Sequence, residues 1–183
     1  FAINGTGFLQ INAQGIVAKV ELGVGINRGG NGFSLSGDFV FELNTTGTVF
    51  NGTIRGVTVS VDTGVKLVIS GSLIIGNANN GFRIEGVVAL LAGANGLEVA
   101  ADGDLNVVIA GTTLLSVDVT AALLINSNGI AAKFALDFGV GYAGSGFSLR
   151  GSFTFELNTT GRLVSQIAGV QVNLASGNYV RIV

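Results

Sequence analysis

A fifteen-residue stretch occurs twice. Phe33–Gly47 reads FSLSGDFVFELNTTG and Phe147–Gly161 reads FSLRGSFTFELNTTG. A chain that repeats itself folds as repeated units that reuse one set of local contacts. The match runs on past this stretch. Residues 9–49 align without a gap on residues 123–163, at a spacing of about 114 residues and with roughly half of the positions identical. Ile16, Ala18, Lys19 and Leu22 fall on Ile130, Ala132, Lys133 and Leu136. After one deletion, Gly56, Val57, Val59 and Gly64 face Gly169, Val170, Val172 and Gly177. The chain therefore divides into 1–8, the end of a preceding unit, 9–122, one full long repeat, and 123–183, the first half of the next. It opens and closes in mid-pattern without an initiator Met, as a segment of a longer array would.

Inside the long repeat lies a shorter one. Glycines that open an apolar run stand at Gly15, Gly32, Gly47, Gly64, Gly81, Gly96, Gly111, Gly129, Gly146, Gly161 and Gly177. Their mean spacing is about 16 residues, roughly seven short units per long repeat.

Each unit alternates with period two. Phe33, Leu35, Phe39, Phe41 and Leu43 share one face; Ser34, Ser36, Asp38, Glu42 and Asn44 share the other. The units from Gly15, Gly64 and Gly129 alternate in the same way. Such alternation, rich in Val, Ile and Phe, is the signature of half-buried strands, and no stretch supplies the 3.6-residue period of a helix. Asn-Gly and Asp-x-Gly sequences between the units, such as Asp62-Thr63-Gly64 and Asn95-Gly96, supply the positive φ that tight hairpins need.

Glycines also fall within units on the apolar face, at Gly37, Gly71, Gly86, Gly103 and Gly151. There they predict bends that would let a long strand fold over its own apolar face. The fold class is thus all-β, an elongated repeat array with one apolar inner face. Two architectures fit it. The unbroken parity and hairpin-like turns favour a curled antiparallel meander. Segments apolar on both faces, such as Val87–Leu91 and Val107–Ile109, would suit a parallel β-solenoid instead.

Chemistry is sparse. The chain has no Cys and no His, which removes thiolate chemistry, the usual general base and the commonest metal ligand. A formal net charge of −2 and no basic stripe argue against a nucleic-acid partner. Apolar residues make up 48% of the chain, too many for disorder, yet no uninterrupted apolar run has the length of a transmembrane helix. Of the acidic residues, only Asp102-Gly103-Asp104 forms a local pair, and the further oxygen ligands of a calcium loop are missing. Lys19, Lys66 and Lys133 have no serine at motif spacing; they read as outward lysines that discourage edge pairing. Asn4-Gly5-Thr6, Asn44-Thr45-Thr46, Asn51-Gly52-Thr53 and Asn158-Thr159-Thr160 fit the N-glycosylation sequon, but two of them are the repeat turn itself. No catalytic, cofactor-binding or metal-binding residue is assigned, and the expectation is a protein that is not an enzyme.

The repeated string, with Gly169–Leu174 and Asn178-Tyr179-Val180-Arg181-Ile182 downstream, resembles repeat units of very long bacterial surface or secreted proteins, the hemolysin-like and adhesin-like giants. The resemblance spans nearly the whole chain. It is specific in the Asn-Thr-Thr-Gly and Tyr-Val-Arg elements, although the Pro that often precedes the latter is missing here. It implies an extracellular or cell-surface, non-catalytic role. The expected function is a structural segment of a fibre, stalk or surface layer, partnered by neighbouring repeats or copies of itself through sheet edges. The alternative is an apolar-groove module for lipid or another hydrophobic ligand.

Overall fold

The computed structural model describes residues 2–28, 32–54, 56–141 and 146–183. Among them are no helices and fourteen strands: β1 (Ala2–Asn12), β2 (Gly15–Arg28), β3 (Phe33–Asn44), β4 (Phe50–Ile54), β5 (Val57–Val61), β6 (Gly64–Gly76), β7 (Gly81–Gly93), β8 (Gly96–Ile109), β9 (Thr112–Asn126), β10 (Gly129–Gly141), β11 (Ser148–Asn158), β12 (Val164–Ile167), β13 (Val170–Leu174) and β14 (Tyr179–Ile182). Ten of them form one sheet in the order β1-β2-β3-β6-β7-β8-β9-β10-β11-β14. Every pairing is antiparallel and the sheet does not close on itself. The meander is therefore the architecture formed, and the solenoid is not.

The register carries each strand's parity into the next. Leu43 pairs with Val65, Val65 with Ala92, Ala92 with Leu97, Leu97 with Ile125, and Ile125 with Ile130. Because side chains alternate across a strand, this register sends every unit's apolar set to one side of the sheet.

Two strand pairs leave the sheet. The β4–β5 hairpin is inserted between β3 and β6, and β12–β13 between β11 and β14; among the described residues each pairs only with itself. They stand on the polar face and roof part of it. β12–β13 closes the main core: Val164, Ile167, Val172 and Leu174 pack with Ala100, Ala122, Leu124 and Ala131 of β8, β9 and β10. Those sheet positions are mostly alanine because the hairpin backbone must approach closely. Under β4–β5 lies Val17, also buried, with Val61 buried in the hairpin itself.

This reverses one expectation. The apolar face is not an inner face. The strands run through the internal glycines without folding over, and the buried residues lie on the opposite, polar side. Gly37, Gly71, Gly86 and Gly103 are direct cross-strand neighbours on β3, β6, β7 and β8. Instead of bending each strand separately, they line up as a furrow across the apolar face. Gly151 stands apart, with the Phe138 ring from β10 lying over it where a Cβ would sit 2.5 Å away. Aromatic cover of this kind restores contacts that a glycine lacks.

The second repeat also departs from its alignment near the end. Asn44 pairs with Gly64, whereas its counterpart Asn158 pairs with Tyr179, not with Gly177. Gly64 has a φ of 104°, and a Cβ there would lie 2.1 Å from the Ala92 carbonyl oxygen of β7. Among the described residues no strand lies beyond β14, so a side chain at Tyr179 meets no such obstacle.

Candidate functional site

The most extensive surface feature is the apolar face. Ile3, Leu22, Ile69, Val88, Ile125 and Phe153 are all at least two-fifths exposed, and the register places all six on this side. Among the described residues of the sheet, every Asp, Glu and Lys falls on the other face. The exposed apolar area is on the order of 1,500 Å², against roughly 300–600 Å² for the largest patch on a typical monomer. The glycine furrow forms a shallow depression of about 420 Å³, flanked by Ile69, Val88, Ala101 and Val119. Cβ atoms at Gly71, Gly86 or Gly103 would press to about 3.0–3.1 Å on carbonyl oxygens of the adjoining strand.

The polar face is built around two copies of one staple. The Asn44 and Asn158 side chains are almost fully buried. Asn44 Nδ2 donates to the carbonyls of Thr48 and Val61, at 2.8 and 2.9 Å. Its Oδ1 accepts from the Thr46 amide and hydroxyl. Asn158 repeats this with Arg162, Ala175 and Thr160. Thr45 and Thr159 complete the turn, their Oγ1 atoms accepting from the amides of Ile16 and Ile130. The Asn-Thr-Thr-Gly sequence therefore binds a sheet strand, its own turn and the base of a hairpin together. Both amide protons of each Asn are engaged, so these two sequons are turn chemistry. Asn4 and Asn51 are exposed.

Beside each staple a carboxylate is held beneath a hairpin. Glu42, 7% exposed, pairs with Lys19 at 3.0 Å and Lys66 at 3.5 Å. Glu156, 4% exposed, pairs with Arg181 at 2.7 Å and accepts from the Tyr179 hydroxyl. Lys133, the counterpart of Lys19, donates instead to the Val172 carbonyl of the roofing hairpin. Lys19 and Lys66 thus tie neighbouring strands, and Lys133 ties the sheet to a hairpin. The hydrogen bond from Lys19 holds the Glu21 carboxyl below the usual carboxylate range, and Glu21 and Glu42 together raise Lys19. Arg83 likewise lowers Glu85, with help from the Ser72 hydroxyl.

Farther along the same face the register aligns Glu85, Asp104, Asp118 and Asp137 on four successive strands. Like charges set directly opposite one another destabilise a sheet. Asp104 accepts from Asn106, and Asp102 from Thr120. The acids form a row rather than a cage: among the described residues no three Asp or Glu groups converge where a metal ion could be held. Asp102 and Asp104 both point to this face, with Gly103 between them part of the furrow.

Sequence reasoning found the apolar face, but missed the hairpin roofs and the acidic row. The row requires the register; the roofs had a signal in the alanines at 100, 122 and 131. In comparisons with known proteins, no family model, no curated protein and no solved structure matches the chain.

Proposed function

We propose that the chain is a structural segment of an extended, non-catalytic β-sheet array at a cell surface or outside the cell, continued through its edges by further repeats or copies of itself. The observation that carries this reading is the unclosed sheet: β1 and β14 are outermost strands, and β14 pairs with only four residues of β11. Unpaired N–H and C=O groups on such an edge are a template for another strand, and natural sheets protect them with Pro, charge or covering loops. There is no Pro in the chain. Sedimentation at micromolar concentration tests the reading. End-to-end association is the expected result; a stable monomer whose edge amides exchange as slowly as those of β7 would overturn it.

A second reading is favoured by the apolar face. Its area and its furrow suit a seat for acyl chains or another elongated apolar ligand. A fluorescent fatty acid should bind the intact chain and lose affinity in Val88→Asp, on the flank of the furrow. Equal binding by both proteins excludes this reading.

A further inference from the structure

The two hairpins supply an internal template for an interaction surface. Both descend from the same repeat element: Val61 corresponds to Leu174, Val59 to Val172 and Val17 to Ala131. The second hairpin stands on four sheet strands. Its side chains pack on Ala100 of β8 and Ala122 of β9, and the Ala168 amide at its tip donates to Glu98 Oε2 of β8 at 2.6 Å. Val172 is completely buried there. Beneath the first hairpin the matching floor stops one strand short. The counterpart of β9 is β1, where Phe8 replaces Ala122 and stacks on Phe50 with centroids 5.3 Å apart. Beyond β1 no described strand stands where β8 stands. Val59 remains half-buried, and Ile11 on β1 is 69% exposed against 41% for its counterpart Ile125.

We infer that the outer edge of β1 and the open flank of the β4–β5 hairpin form one composite docking surface. Its occupant is an antiparallel strand of the β8 type, contributed by another repeat of this kind. The register is fixed by the template. Leu97 pairs with Ile125, Val99 with Leu123, Ala100 with Ala122 and Leu105 with Val117. The incoming strand therefore places its equivalents of Leu97, Val99, Ala100 and Leu105 opposite Ile11, Leu9, Phe8 and Ile3. Specificity comes from the small residue at the Ala100 position, which in the template lies fully buried against the hairpin. Edge pairing contributes the backbone hydrogen bonds and the hairpin reads the side chains, the usual division of labour in strand addition.

This inference rests on the array reading but names one strand type where that reading names only an edge. The test extends the whole chain by a copy of residues 96–114 placed ahead of Phe1, and follows amide exchange strand by strand. The expected result is slowing of at least tenfold in both β1 and β4–β5. The same extension carrying Ala→Arg at the copied Ala100 position should protect β1 while leaving β4–β5 unchanged. Protection of β1 alone by the unmodified extension overturns the composite surface, and no protection at either place overturns the register as well. Sedimentation of the unextended chain reports on the array reading separately, so the two can fail independently.

Discussion

The β4–β5 and β12–β13 hairpins begin from the same Asn-Thr-Thr-Gly turn, yet they are buried to different depths. Val172 and Leu174 are inaccessible, whereas at the corresponding places Val61 is inaccessible and Val59 is not. The staple is nearly the same in both; on the returning strand Asn44 bonds the Val61 carbonyl, whereas Asn158 bonds that of Ala175, one residue past the Leu174 that corresponds to Val61. What differs is the floor. Stability in this array therefore has two sources: a local one written into each turn, and one that depends on a strand three places back in the sheet.

The sharpest way to break that comparison is to remove core atoms from one hairpin. Ile167 is fully buried, and Ile167→Ala should cost about 3–4 kcal/mol, read as a lowered urea midpoint. Val172→Ala should cost about 2 kcal/mol and Val59→Ala less than half as much. Equal losses at the two valines would mean that the floor does not set the depth of burial.

The staples should behave oppositely. Asn44→Ala and Asn158→Ala each strand two backbone carbonyls and an amide, and each should cost about 2 kcal/mol. A difference between them larger than about 1 kcal/mol would show that the turn is not autonomous.

Much of this was legible in the chain. Alternation in units such as Phe33–Leu43 specified strands, and the Asn-Gly and Asp-x-Gly turns favoured antiparallel neighbours without excluding a solenoid. Alternation cannot say which face is covered, because it records only which side chains share a side. The covering element lay in the Gly47–Gly64 unit, which looks like its neighbours in one dimension. It leaves the sheet because Asn44 binds the Val61 carbonyl, a contact seventeen residues away that no local pattern encodes. The Val87–Leu91 run, apolar on both sides, suggested stacked coils; in the fold Ala89 is buried on the polar face while Val88 stays exposed on the other.

Smaller effects sharpen the comparison further. Glu98→Ala removes the acceptor for the Ala168 amide and should cost about 1 kcal/mol, with faster exchange confined to β12–β13. Faster exchange in β4–β5 as well would mean that the hairpins are coupled through the sheet.

The smallest effect is on acidification. Glu21 has its carboxyl lowered by Lys19, so its contribution is complete above the ordinary glutamate pKa and is lost as the pH falls through the lowered value. The second repeat has Ala135 in the place of Glu21. Acid below the ordinary glutamate pKa should therefore loosen β2 before β10, by less than about 1 kcal/mol, as expected for a solvent-screened pair. Amide exchange in the two strands between neutral and acidic pH measures this, and equal loosening would count against it.

The order of strands in the main sheet is also their order along the chain, apart from the two hairpins set on its face. Tension applied between the two ends therefore meets the strands singly. Each ladder opens from one end like a zipper, and the next carries no load until the last has parted. A freed pair such as β7–β8, about 29 residues, yields roughly 100 Å of slack at full extension. Under pull such a sheet lengthens in steps and, because each strand's partner is its neighbour in sequence, can rewind from whatever remains folded. The hairpins would act as ratchet teeth: a strand roofed by β12–β13 must shed its cover before it can peel.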